Sequence, residues 1–296
     1  MRERPSPVEL ATSSGAMHRT LDALCLAART DAPIMLRAEI GSEVSSLARM
    51  AHEHSLRRAR PFLALACSAI NELPSRTAAG VGDGTLFLDE VGDLSADLQA
   101  RLVRWLDRQS AQAGAPRVIS ATKRDLGQAV GDGRFREDLF FRLNVMEIRV
   151  LPLRERPEDI LPLAAELIAS LSADLGRRAP VLSEDAAALL TRYRWPANLR
   201  ELTNAIERAL LIWPAPVIEA EAFTELKNAD VHRRPRVGDD VTLRELARDH
   251  ILRVMTRARS LKDAASILGV DDATLWRRRK QYERERDGDD ETRKLP

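Results

Sequence analysis

Residues 84–107 read GTLFLDEVGDLSADLQARLVRWLD. The apolar run Leu86-Phe87-Leu88 ends in two adjacent carboxylates, Asp89 and Glu90. A short unbroken apolar run is how a parallel strand buried on both faces reads, and acids directly after it fall at the carboxyl edge of the sheet. In a nucleotide hydrolase the first such acid holds Mg²⁺ and the second polarises the attacking water. A strand entering an acidic turn would look the same over these few residues.

Four further segments have the same character on either side: PIML (33–36), PFLALAC (61–67), RVISAT (117–122) and VMEIRV (145–150). Helical patterns separate most of them, which predicts a parallel α/β sheet of five strands over residues 16–155. The first helical pattern runs through Met17, Leu21, Leu24 and Ala28. Residues 1–15 are polar and poorly patterned and are expected to be disordered. Residues 156–226 read as helices only, with Pro157-Glu158-Asp159 and Ser183-Glu184-Asp185 suiting helix N-termini. The stretch 227–240, KNADVHRRPRVGDD, reads as a linker. A compact helical segment occupies 241–286, and 287–296 is a frayed tail.

Composition excludes several classes. The 296 residues are 44% hydrophobic and 31% charged, with net charge +1, so overall charge points to no partner. Aromatics make up only 4%, which leaves the core to Leu, Ala, Val and Ile. The two cysteines, Cys25 and Cys67, match no metal or redox spacing, and no metal site is expected. The opening MRERPSPVEL has no apolar run and no segment approaches membrane-spanning length, so a cytoplasmic protein without membrane contact is expected.

Charge is distributed unevenly. Residues 241–286 hold 12 Lys and Arg against 7 Asp and Glu. Within them, SLKDAASILGVDDATLWRRRKQYERER (260–286) places Ala265, Gly269 and Leu275 at helix-turn-helix offsets: a small residue at the crossing, a turn glycine and an apolar inward residue. Asp271 or Asp272 can cap the second helix. Leu275 and Tyr282 are expected in the core. Thr274, Arg277 and Arg278 are expected to meet base edges in the major groove, and Arg279, Lys280 and Arg284 the phosphates of double-stranded DNA. Trp276 reads either as core or as a dimer contact. The preceding helical pattern, TLRELARDHILRVMTRA (242–258), has apolar residues at Leu243, Leu246, Ile251, Val254 and Met255.

Several blocks together resemble the NtrC-like bacterial enhancer-binding proteins, from about Ser14 to Tyr282. GTLFLDEVGDL resembles their Walker B segment. ARMAHEHS (48–55) with PFLALACSAI resembles the helix and strand after the phosphate loop. RFREDLFFRLNVMEIRVLPLRERPEDI (134–160) is the strongest single block, and YRWPANLRELTNAIERALL (193–211) resembles the lid segment. The C-terminal segment is similar to the Fis-type DNA-binding domain of the same family. The resemblance implies an AAA+ α/β module with an all-α lid, followed by a helix-turn-helix. It also implies a homodimer or higher oligomer on a palindromic site, and action on sigma-54-type polymerase.

The sequence departs from that pattern where nucleotide chemistry is concentrated. A phosphate loop needs G-x-x-x-x-G-K-[ST] so that backbone N–H groups wrap the phosphates and a lysine neutralises them. Aligned on the downstream helix, the loop is Ala38-Glu39-Ile40-Gly41-Ser42-Glu43-Val44-Ser45. Only Gly41 and Ser45 fit, and valine stands where the lysine belongs. Losing that lysine forgoes about 1.5–3 kcal/mol of charge-assisted contact. Arg37 stands nearby as a candidate substitute cation. The family's asparagine at the end of the second strand aligns with Ala66, and its sensor I asparagine with Lys123. Only 13 residues, 71–83, separate Ile70 from Gly84, where the family has a hairpin bearing a GAFTGA motif. Arg136 and Arg142 match arginine-finger positions and Arg200 the sensor II position; the alternative for each is an ion pair with Glu137, Asp138 or Glu201.

The expectation is a DNA-binding regulator that is neither an enzyme nor a sigma-54 activator, its AAA+ domain serving as an oligomerisation or regulatory scaffold, with no cofactor. Two alternatives stand beside it. One is a mixed ring in which this chain lends its arginines to an intact AAA+ paralogue; the other is an ATPase using ATP and Mg²⁺ through an unorthodox loop.

Overall fold

The computed structural model describes residues 12–70, 81–110, 114–226, 242–258 and 260–292, and divides into two compact units, 1–227 and 228–296. In the first, β1 (Ile34–Arg37), β2 (Phe62–Ala66), β3 (Thr85–Asp89), β4 (Arg117–Thr122) and β5 (Met146–Arg149) form one parallel sheet of order β2-β3-β4-β1-β5. The helices are α1 (Gly15–Ala28), α2 (Val44–Glu53), α3 (Ala96–Ser110), α4 (Leu126–Gly131) and α5 (Glu137–Leu143). All five predicted strands are present within a residue or two of their expected limits.

The side-chain alternation of the strands explains why the sheet is covered on both faces. Ile34, Leu36, Phe87 and Ile119 pack with Met17 and Leu24 of α1 and Leu47 of α2. The intervening Met35, Leu86, Leu88 and Val118 point the other way, against Leu98 and Leu102 of α3 and Leu139 and Leu143 of α5. Strands that must be apolar on both faces read as unbroken runs, which is why TLFLD was legible.

Two arginines that sequence reading passed over fasten the amino edge of this sheet. Arg117 opens β4 yet is buried, and its guanidinium donates to the carbonyls of Ala27 at 2.7 Å, Ala28 at 2.8 Å and Ala32 at 3.4 Å. It caps the carbonyls at the end of α1, of which Ala27 O also accepts from Thr30 N and Thr30 Oγ1. Arg57 donates to the carbonyls of Asp83 and Ala115 at 2.7 and 2.6 Å while pairing with Asp31 at 2.8 Å.

Residues from 160 onward build the lid: α6 (Ile160–Asp174), α7 (Glu184–Arg192) and α8 (Asn198–Ile212) around Trp195, Leu199, Leu202 and Ile206. The expectation of helices only is corrected here. β6 (Val181–Leu182) and β7 (Val217–Ile218) pair in parallel. Two-residue strands are too short to leave a periodic signal. The expected disorder over 1–15 is corrected in part. Thr12 Oγ1, Ser13 N and Ser14 N all donate to the fully buried carboxylate of Asp159, at 2.7, 2.5 and 2.9 Å, and α1 begins at Gly15. Residues 1–11 lie outside those described, as do 71–80 of the shortened loop, 227–241 of the expected linker and 293–296 of the tail.

The second unit is a three-helix domain, α9 (Leu243–Arg257), α10 (Leu261–Leu268) and α11 (Asp272–Thr292), around Ile251, Ala264, Ala265, Leu275 and Tyr282.

Arg117→Leu takes the guanidinium from the Ala28 and Ala32 carbonyls and is expected to destabilise the first unit by about 1–3 kcal/mol, read as a lowered urea midpoint with unchanged slope. A shift below about 1 kcal/mol would mean those carbonyls find other partners.

Candidate functional site

The carboxyl edge of the sheet gathers the loops after β1, β3 and β4, the place where open parallel sheets hold ligands. The loop after β1 turns at Gly41, whose φ is +77°. A Cβ there would stand 1.9 Å from the Ala197 carbonyl oxygen, so only glycine lets the loop meet the lid backbone to backbone. Arg200 N donates to Gly41 O at 3.1 Å, and Asn198 Nδ2 donates to Ile40 O at 3.0 Å. Asn198 Oδ1 in turn accepts from Leu153 N at 2.9 Å. Across the same seam, Arg154 forks onto Glu39 with contacts of 2.5 and 2.6 Å. Those hydrogen bonds hold the Glu39 carboxyl below its ordinary range against the opposing effect of burial.

α2 begins at Val44, and Ser45 and Glu43 are exposed. Glu43 accepts from Ser46 Oγ at 3.1 Å. The candidate substitute cation is not aimed at this loop: Arg37 pairs with Asp125 at 2.7 Å and approaches Glu147 at 3.7 Å.

β3 delivers Asp89, whose carboxyl is raised by partial burial and drawn back by the Glu90 backbone and by the charges of Arg200 and Lys123. Glu90 follows in the left-handed region, φ +55° and ψ 53°, a conformation that costs a non-glycine residue about 1 kcal/mol. Lys123 then meets it twice. Its backbone N–H donates to Glu90 Oε2 at 3.2 Å and its ammonium lies 3.5 Å from Oε1, with Asp93 at 3.7 Å. Arg124 completes the cluster on Asp93 at 2.5 Å. Buried Cys67 sits under these acids, its thiol pushed up to about 12 by burial and then by Asp89, Asp93 and Glu90.

The finger candidates lie at α5. Arg136 forks onto Asp138 at 2.7 and 3.0 Å, and Arg142 meets Asp107 at 2.5 Å. Phe141 and Val145 beside them are exposed.

In the second unit, Ser260 Oγ accepts from Asp263 N at 3.1 Å to start α10, and Gly269 ends it at φ +64°. Asp271 is the cap of α11, taking Thr274 N at 2.8 Å and Thr274 Oγ1 at 2.6 Å. Both bonds hold the Asp271 carboxyl below its ordinary range, the hydroxyl contributing most. Ala265 and Leu275 are buried at the helix crossing, and Arg277, Arg278, Arg279 and Lys280 are exposed on α11.

Comparison with known proteins agrees with this layout along the chain. The Sigma-54 interaction domain matches residues 10–77 and 75–149, the AAA+ ATPase lid domain 154–237, and the Fis-family bacterial regulatory protein domain 242–282. The alginate biosynthesis transcriptional regulatory protein AlgB of Pseudomonas aeruginosa is 38% identical across 92% of this chain and 67% of its own length. The chain belongs to the sigma-54-interacting family of transcriptional regulators. ZraR of Klebsiella oxytoca is 35% identical across 88% of the chain and 66% of itself, so the chain spans about two thirds of these relatives. NtrX of Brucella abortus, solved with ATP, superposes with a TM-score of 0.68 at 26% identity, over 94% of this chain and 70% of that one. Among the described residues, no helix is long and apolar enough to cross a membrane.

Within the family frame, the structure brings Gly41, Asp89, Glu90 and Arg200 to one edge. It leaves Ser45 on an exposed helix start and ties Arg136 and Arg142 to acids of their own chain. Arg136 pairs with the expected Asp138, and Arg142 with Asp107, outside the acids expected for it. Thr274 spends its hydroxyl proton on the cap, leaving only lone pairs for DNA. The Arg284 side chain lies outside those described. Sequence reading missed the pairings of Glu39, Arg154 and Asn198, because their partners are 45 to 158 residues away.

Glu39→Gln is expected to cost roughly 0.5–1 kcal/mol near pH 7, the pair being partly exposed. Because Glu39 titrates below its ordinary value, the pair's contribution is present above about pH 4.3 and is lost as pH falls further. Urea titrations of both proteins across that window should converge at the acid end; a constant gap would contradict the ion pair.

Proposed function

We propose that this chain is a DNA-binding regulator of the sigma-54 family whose AAA+ module acts as an oligomerisation or regulatory scaffold and does not hydrolyse ATP. The observation that carries this reading is the double hold of Lys123 on Glu90. A carboxylate that must polarise water is engaged by an ammonium and an amide of its own chain. Mg·ATP does not fit the residues around it. Val44 offers no cation and Glu43 adds a negative charge where phosphates would sit. Arg37, the nearest alternative, is committed to Asp125 and Glu147. The 13-residue segment 71–83 is too short for the hairpin through which relatives of this kind are expected to reach the sigma factor. On this reading the protein represses, or competes with an intact relative for shared sites.

A second reading is a mixed ring, supported by the exposed Phe141 and Val145 beside Arg136 and Arg142. Acids of the same chain hold both guanidinium groups at the surface, from which a neighbour's polyphosphate could draw them.

Titrating a fluorescent ATP analogue with Mg²⁺ onto the full chain, with phosphate release in parallel, separates these. The expected result is no saturable binding, release at the blank rate, and DNA affinity indifferent to Mg·ATP. Saturable binding with turnover contradicts the scaffold reading; altered turnover of an intact relative on mixing favours the ring. Restoring the loop with Glu43→Gly and Val44→Lys is expected to return binding without turnover, and adding Lys123→Asn to raise turnover at least tenfold, about 1.4 kcal/mol of barrier.

A further inference from the structure

On α11, Leu275 and Tyr282 stand seven residues apart and both face the domain core. At about 100° per residue, the opposite side of the helix carries Ala273, Arg277 and Lys280, with Trp276 on the flank next to Lys280. Trp276 is 52% exposed and absent from the core, whereas Trp105 and Trp195 are buried and Trp213 packs on the lid. The core alternative for this residue is thereby removed. A large indole held in water on the flank of a cationic helix face has two candidate occupants: a second copy of the chain or DNA.

We propose that Trp276 is a base-reading residue of the recognition helix, making apolar contact with a thymine methyl group in the major groove. The inference rests on the family's DNA-binding reading of this domain. Charge decides between the occupants. Pressing this face against its twin would bring Arg277 and Lys280 of both chains together, like charges at close range. The sugar-phosphate backbone offers the opposite sign on both sides of the groove. A second copy also has apolar surface elsewhere in the same unit, on α9, where Leu243 and Leu252 are exposed. The thymine methyl is the one apolar feature a major groove presents to such a side chain. The same phase reassigns two cations. Lys280 shares the outward face with Arg277 and joins base reading, while Arg278, nearer the core edge, moves with Arg279 to the phosphates.

The test begins with selection of binding duplexes from a random-sequence pool by the full chain. The proposal expects at least one fixed thymine in the enriched half-site. Trp276→Ala should weaken the selected duplex about tenfold while leaving affinity for random duplex and the salt dependence unchanged. Replacing that thymine by uracil, which removes only the methyl, should cost the wild type a similar factor and cost Trp276→Ala nothing further. Trp276→Phe, with circular dichroism on both variants, controls for folding and should retain most of the affinity. Undiminished affinity and unchanged selection with Trp276→Ala would overturn the proposal, and a halved oligomeric mass with them would assign the residue to a protein contact. An equal loss on selected and random duplex would likewise refute base reading. Failure of the wild type to enrich any sequence would defeat the DNA reading of the domain itself.

Discussion

Asn198 is the residue on which the first unit closes. It is buried at the start of α8 in the left-handed region, φ +49°, with its amide spent in both directions: Oδ1 on Leu153 N and Nδ2 on Ile40 O. One side chain therefore fixes the lid's first turn to the loop after β1, and Gly41 lets the two backbones meet there. A buried amide satisfied at both ends tolerates little displacement, since any opening leaves polar groups unpaired at about 1–3 kcal/mol each. Glu39 and Arg154 fasten the seam from the solvent side, and Asp159 gathers the chain before α1 onto the start of the lid.

Around that seam the chain pairs its own charges, in place of any a ligand could supply under the proposed function. Arg154 answers Glu39, and Lys123 answers Glu90 and Asp93. The proposed scaffold function follows from that substitution: an assembly whose seam and acids are internally neutralised has no electrostatic need of Mg·ATP to close. The DNA-binding unit carries its own core and its own caps, with Arg277 and Arg278 exposed on its last helix.

The α/β half was legible because its strands are buried on both faces, so Leu86-Phe87-Leu88 and Val118-Ile119 announce themselves without context. The turn at Gly269 was legible for a local reason as well, a left-handed residue between two short helices. What escaped were contacts that close over long separations. Arg117 looked like an ordinary polar residue opening a strand and is a buried cap for α1. Lys123 was recognisable as an unusual residue for its position. Its partner was not, because that pairing depends on β3 and β4 lying side by side in the register Leu88 to Ser120. Trp276 was ambiguous in one dimension and became decidable once Leu275 and Tyr282 fixed the phase of α11.

On the scaffold reading this seam stays closed without nucleotide. Hydrogen exchange of the full chain, followed across residues 38–45 and 153–200 with and without saturating Mg·ATP, addresses it most directly. Slow exchange is expected at Leu153 and Arg200 in both conditions, with no difference between them. Fast exchange in the free chain that slows on adding Mg·ATP would contradict it.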